Sequence, residues 1–185
     1  EFWDVMGKRR GQRGITRLMA VCITSGSLAP QRARALIKDH NADINAIDDR
    51  GRTALHLAVG ARDNNTELIR VLLRVDPEIV QVTDNQGYLP LHMACEKNAH
   101  FDVIKILIDQ YPQGVMEKDR YRALPLIYSC KINAHLDVIK LLIDAYPEGV
   151  KKVDRYGYLP LHYAVENDAF DLITLLIDMY PEGLK

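Results

Sequence analysis

A short run of residues recurs along this chain at a nearly fixed interval, and that period limits what the chain can fold into. Asp154-Arg-Tyr-Gly-Tyr-Leu-Pro-Leu-His-Tyr-Ala164 has a near copy at Asp84-Asn-Gln-Gly-Tyr-Leu-Pro-Leu-His-Met-Ala94. A worn copy runs from Asp119 through Leu124-Pro-Leu126, and another is Asp48-Asp-Arg-Gly-Arg-Thr-Ala-Leu-His-Leu-Ala58. A faint fifth sits at Gly14-Ile-Thr-Arg-Leu18. Pro90, Pro125 and Pro160 stand 35 residues apart, and Gly51 and Gly87 stand 36 apart. A period of this size means stacked supersecondary units rather than one globular core.

The recurring run has a local mechanism. Gly51, Gly87 and Gly157 each follow a polar Asp-x-x, the chemistry of a tight turn that needs positive φ. The proline comes three residues after the glycine, where it suits the first turn of a helix because its missing N–H costs nothing there. The apolar residues that follow recur at helical spacing. Each copy therefore predicts a turn followed by a helix start.

Taken in order, the chain predicts five such units, at about 14–47, 48–83, 84–118, 119–153 and 154–185. Residues 1–13 are either a short apolar cap, through Phe2, Trp3, Val5 and Met6, or the tail of an earlier repeat. Their basic run, Lys8-Arg-Arg10 with Arg13, reads either as a localisation or phosphate-binding patch or as a solvated turn. In the first unit helices are expected from Thr16 to Ser25 and from Pro30 to Asp39, and in the second near Thr53–Ala61 and Thr66–Val75. Asn65 or Thr66 is a candidate N-cap. The later second helices are Asp102–Asp109, Asp137–Asp144 and Asp171–Asp178, with Asn98, Asn133 and Asn167 as candidate caps. Tyr111-Pro112, Tyr146-Pro147 and Tyr180-Pro181 open Tyr-Pro-x-Gly closures, in which the proline stops the helix and the glycine sets the turn.

Here the residues carry a family resemblance. Asp-x-x-Gly-x-Thr-Ala-Leu-His-x-Ala at 48–58 resembles the ankyrin-repeat signature, and Asn41-Ala-Asp-Ile-Asn-Ala46 is similar to the segment that closes such repeats. The resemblance runs from about Gly11 to the end. It implies an all-α solenoid of antiparallel helix pairs with hairpin turns, and a protein-binding module that uses its concave face. The Tyr-Pro-x-Gly closures depart from the family pattern. The resemblance also implies a structural role for His56, His92 and His162, hydrogen-bonded to nearby backbone. Ile127 in the fourth copy argues against a ladder of metal ligands, so no metal is expected.

Composition narrows the rest. Lys and Arg number 24 against 25 Asp and Glu, giving a net charge of −1 in 185 residues, which argues against attraction of the whole protein to nucleic acid or anionic lipid. No apolar run approaches the ~18 residues of a membrane span. Cys22, Cys95 and Cys130 occupy one repeat position, filled by Val59 and Val165 elsewhere, and read as small packing residues. Neighbouring units ~8–10 Å apart put such positions beyond disulfide reach. Nothing requires an oxidising compartment, so an intracellular site, cytoplasmic or nuclear, is expected. The start, Glu1-Phe-Trp-Asp, suggests a piece of a longer chain, and the apolar last helix suggests that the array continues.

No nucleophile elbow, phosphate-cradling glycine loop or His-Glu-x-x-His is present, so no catalysis and no cofactor are expected. Partner-binding residues are expected where the copies vary. The turns contribute Asp49, Arg50, Arg52, Asn85, Gln86, Tyr88, Arg120, Tyr121, Arg122, Arg155, Tyr156 and Tyr158. The first helices add Glu96, Lys97, Lys131, Ile132, Glu166 and Asn167. Arg and Tyr are enriched at interface hot spots, and the expected partner is a protein carrying acidic and apolar groups. Two other functions stay open. One is binding of nucleic acid or phospholipid headgroups through Arg50, Arg52, Arg120, Arg122 and Arg155; the other is an accessory segment of a larger enzyme or channel. Repeat four stands apart, with Arg122 for Gly, Ile127 for His and Ser129 for Ala.

Overall fold

The computed structural model describes residues 15–184 apart from 25, 40, 41, 62 and 64. The expectations for residues 1–13, and the first turn at Gly14, lie outside the described residues. The described residues form an all-α stack with no strand. The helices come in five consecutive pairs: α1 (Arg17–Thr24) with α2 (Ala29–Asp39), α3 (Ala54–Val59) with α4 (Thr66–Val75), α5 (Pro90–Glu96) with α6 (Phe101–Gln110), α7 (Pro125–Lys131) with α8 (Leu136–Ala145), and α9 (Pro160–Glu166) with α10 (Phe170–Met179). First helices pack on first helices along the stack, and second helices on second helices.

Each turn is organised by one aspartate. Asp84 Oδ1 accepts from the N–H groups of Gln86 and Tyr88 at 2.8 and 2.9 Å, and Asp48, Asp119 and Asp154 repeat the pattern. Gly51, Gly87 and Gly157 have φ of 77°, 77° and 82°, the left-handed conformation their spacing predicts. Arg122 takes φ 58° at the matching place, so the fourth turn keeps its shape without a glycine. Successive turns are laced by their backbones. Asn85 N–H donates to Arg50 O, Arg120 N–H to Gln86 O and Arg155 N–H to Tyr121 O, at 2.8, 3.0 and 2.7 Å.

Pro90, Pro125 and Pro160 open α5, α7 and α9, as expected. Asn65 caps α4 by accepting from Leu68 N–H. The expected caps at Asn98, Asn133 and Asn167 need correction. Asn98 and Asn133 take φ of 55° and 50° just past the ends of α5 and α7, where Asp168 also has φ 52°. Ala99 N–H donates to Ala94 O and Asn98 N–H to Cys95 O, the bonding of a left-handed helix C-terminus, in which Asn stands in for Gly. The residues entering the second helices are His100, His135 and Ala169. Asn167 instead donates from Nδ2 to Cys130 O and Lys131 O, at 3.1 and 3.0 Å, tying two repeats together.

The Tyr-Pro-x-Gly closures also differ from expectation. Each proline starts a short 3-10 turn, at Pro112–Val115, Pro147–Lys151 and Pro181–Leu184. The glycines are not at positive φ. Their role is room: a Cβ on Gly114 would lie 3.0 Å from the Tyr111 ring, and one on Gly149 3.3 Å from Tyr146. Repeat two makes the opposite exchange. Asp76 replaces the tyrosine and Ile79, fully buried, replaces the glycine. One apolar group fills the space in either case.

The core is a ribbon running through all five pairs. Cys22, Val59, Cys95 and Cys130 are buried in it, and the cysteines are free thiols. Burial pushes the Cys22 and Cys95 thiols up to about 12, which makes them poor nucleophiles. In the fifth pair, residues of both helices are exposed. Val165 is 52 % exposed and Phe170 77 %.

Candidate partner-binding groove

Three adjoining depressions lie over the first helices and the turns and together form a groove along the stack. The first, of about 590 Å³, lies over Ile23, Leu57, Gly60, Ala61, Met93 and Lys97. The second, of about 450 Å³, is bounded by Asp49, Arg50, Arg52, Asn85, Gln86, Glu96 and Tyr121. The third, of about 210 Å³, is lined by Tyr121, Tyr128, Lys131, Tyr156 and Tyr163. Adjoining depressions share walls: Arg52, Met93 and Lys97 between the first two, Glu96, Tyr88 and Tyr121 between the last two.

The floor is held by buried polar ladders. In His56, Nδ1 accepts from Thr53 N–H, so Nε2 carries the proton and donates to Tyr88 O at 2.8 Å. His92 accepts from Leu89 N–H and donates to Glu117 O at 3.1 Å. These imidazoles therefore bolt each repeat to the next. His162 accepts from Leu159 N–H in the same way but is exposed. Burial lowers the pKa of His56 and brings that of His92 down to about 4, so both are neutral at neutral pH. Among the described residues, no group of three or more His, Cys, Asp or Glu is placed to hold a metal ion.

A second ladder is phenolic. Tyr88 donates to the Tyr128 oxygen at 2.6 Å, and Tyr128 donates to Asp119 Oδ2 at 2.5 Å. Tyr163 donates to Asp154 Oδ2 at 2.6 Å. Burial, with the Asp119 bond, raises the Tyr128 pKa; burial also pushes Tyr88 up to about 12. The sequence offered no sign of these bonds, because Tyr128 and Tyr163 each reach an aspartate nine residues back around a turn, and Tyr88 reaches a tyrosine of the next repeat. The tyrosines also make Asp119 and Asp154 fixed parts of the floor rather than free charges.

The predicted binding residues divide into two groups. Tyr88 is 9 % exposed and lies behind the surface, its hydroxyl committed to Tyr128. Arg52 is held to its own turn, with a guanidinium nitrogen 2.7 Å from Asp48 Oδ2. Burial alone would raise the Asp48 pKa, but the Arg52 bonds and the backbone N–H groups of Arg52 and Arg50 outweigh it and hold the carboxyl below its ordinary value. Glu96 and Lys97 pair with one another at 3.0 Å. The others are exposed, except half-buried Ile132 and half-buried Tyr121, whose hydroxyl donates to Gln86 Oε1 at 3.1 Å. Among the described residues, no carboxylate lies in ion-pair range of Arg50, Arg120, Arg122, Arg155 or Lys131. Arg155 is set between two rings, its guanidinium carbon 5.5 Å from the Tyr121 centroid and 5.4 Å from that of Tyr156. Tyr156 is 67 % exposed, and Tyr158 packs edge-on against Tyr163. Lys131 lies 5.9 Å over the Tyr163 ring.

Paired helices stacked on a 35-residue period, with laced turns and an open inner groove, define a helical repeat solenoid. The model for ankyrin repeats (3 copies) matches residues 18–119 and 111–183, so this chain belongs to the ankyrin-repeat family. Ankyrin repeats are in general protein-interaction modules, and the family is typically non-catalytic. The chain is also similar to Delta-latroinsectotoxin-Lt1a of Latrodectus tredecimguttatus, 40% identical over 68 residues. That match covers 37% of this chain, which spans about 5% of the relative's length. Among the described residues no helix is long and apolar enough to cross a membrane.

Proposed function

We propose that the chain binds a protein partner in the inner groove, and that Arg120, Tyr121, Arg155 and Tyr156 carry most of the affinity. One observation carries this reading: Arg155 is held between the Tyr121 and Tyr156 rings and has no acidic partner of its own. A guanidinium braced on two rings loses little freedom on binding, and its fork matches a carboxylate. The tyrosines supply contact area at low entropic cost. Arg50, Arg122 and Lys131 add unpaired positive charge along the same rim. Tyr158, Glu96 and Lys97 extend the wall, and Tyr88 and Arg52 stiffen it from behind. The partner offers acidic and apolar groups together. The three buried free thiols support an intracellular setting for the encounter.

The test is a titration of the chain with such a partner. Arg120→Ala and Tyr156→Ala should each weaken binding by ~1–2 kcal/mol without unfolding the chain. Charge reversal at Lys105 or Lys140, on the second helices, should matter much less. Equal losses from both sets would remove the inner groove from the reading. A steep fall in affinity with salt, carried by Arg50, Arg120 and Arg155 alike, would point to phosphate binding instead.

A further inference from the structure

The groove is not uniform, and its first depression has a cause in the sequence. Ile23, Gly60, Glu96, Lys131 and Glu166 hold one repeat position, at the end of the first helix. Four of the five carry long side chains, and repeat two alone has none. The following residue is small there too, Ala61 against Lys97, Ile132 and Asn167. The missing side chains leave a notch of about 590 Å³. Its walls are Ile23, which is 46 % exposed, with Leu57, Met93 and the stem of Lys97. Its carboxylate, Asp63, is occupied by Gly26 N–H at 2.6 Å. The notch thus offers apolar surface, whereas the far end of the groove offers unpaired cations.

Resting on the partner-binding reading above, we infer that the partner contributes one continuous segment with two anchors. A large aliphatic or aromatic side chain fills the notch at Gly60, and carboxylates meet Arg155 and Lys131. Charge complementarity sets the direction. Among the described residues near the notch, Arg52 pairs with Asp48 and Lys97 with Glu96, and Asp63 accepts from the Gly26 N–H. At the other end Asp154 is occupied by Tyr163, so the cations there are left for a ligand. Three repeat steps of ~10 Å, or ~30 Å in all, separate Gly60 from Arg155, and two separate it from Lys131. An extended segment of roughly nine residues, or a helix of roughly twenty, spans that distance.

Gly60 gives a clean variant. Its φ of −82° and ψ of −7° suit any residue, and a Cβ would meet His56 O at 3.3 Å and the Met93 side chain at 3.7 Å. The other repeats accept long side chains at this place, so Gly60→Met should fold and fill the notch; Ala61→Met is the second variant. The probe is a displayed library of random 20-residue peptides selected on the wild-type chain. Selected peptides should carry an apolar cluster and an acidic cluster separated along the segment in one constant order. Gly60→Met and Ala61→Met should each weaken them at least tenfold at unchanged thermal midpoint. Arg155→Ala should weaken them by a similar factor. Loss with Arg155→Ala but none with either notch variant would overturn the two-anchor inference and leave the groove reading standing. Loss with neither, or no selectable peptide at all, would overturn both.

Discussion

The imidazole of His56, in α3, donates from Nε2 to the carbonyl oxygen of Tyr88, 2.8 Å away in the turn of the next repeat. His92 does the same for the turn after that, through Glu117 O at 3.1 Å and Ala123 O at 3.3 Å. Since Nδ1 of each ring is already an acceptor, a second proton destroys one bond and places a charge in the core. Acid therefore breaks the helix-entry bonds from Thr53 N–H and Leu89 N–H and charges the core, while the Nε2 bonds between repeats keep their proton.

The pH dependence follows with a definite sign. Burial, against the pull of Asp119 and two carbonyls, holds His92 at about 4 in the folded chain. The unfolded value is ~6.5, so the unfolded chain binds the proton more readily. The His92 contribution is complete above pH ~6.5 and is lost as pH falls toward the folded value, for a total of roughly 3 kcal/mol. Urea unfolding between pH 7 and pH ~4.5 should show the decline, and a His92→Leu variant should show a shallower slope. An unchanged slope in the variant would place the acid sensitivity elsewhere.

Arg122 stores strain. A left-handed conformation costs a residue with a Cβ ~1–2 kcal/mol, and Arg122 holds φ 58°. Arg122→Gly should raise stability by a net ~1 kcal/mol or less, because glycine also loosens the unfolded chain. The midpoint of denaturant unfolding measures this. A clear fall would mean that the arginine side chain stabilises the turn by more than the strain costs.

Gly114 and Tyr111 should behave as a coupled pair. Gly114→Ile drives a Cβ to 3.0 Å from the Tyr111 ring and should cost ~1–3 kcal/mol. Adding Tyr111→Asp recreates the Asp76 and Ile79 pairing of repeat two and should recover part of the loss. A double-mutant cycle with no coupling would show that the two side chains do not share one space.

The end of the stack should open more readily than its middle. Ile104 and Ile139 are fully buried, but Ile173 at the matching place in α10 is half-buried, beside exposed Val165 and Phe170. Amide exchange in α10 should therefore be faster than in α6. Equal protection of residues 170–180 and 103–108 in a strict monomer would contradict this.

Much of the fold was legible because its signals are local. The Asp-x-x-Gly turns and the prolines at 90, 125 and 160 fix their own neighbourhoods, whereas the sequence left the shape of the fourth turn open at Arg122, where the structure has φ 58°. The failures were competitions between local meanings. Asn98 and Asn133 sit where a helix cap would, but serve the end of the previous helix instead. Gly114 and Gly149 look like turn glycines, yet leave room for a ring of the same closure. The site was harder still. The tips could be listed from variation between repeats, but burial of Tyr88 and pairing of Arg52 depend on groups brought together by packing. The notch at Gly60 is a missing side chain, and shows only when the five repeats are aligned and stacked.

The most direct test of binding in the groove is methyl and ring NMR of the labelled chain, titrated with a library-selected peptide. Ile23, Met93, Tyr121 and Tyr156, inside the groove, should shift together and saturate at one stoichiometry. Ile106 and Leu141, on the second helices, should stay in place. Shifts centred on Ile106 and Leu141, with the groove residues unmoved, would contradict partner binding on the inner face.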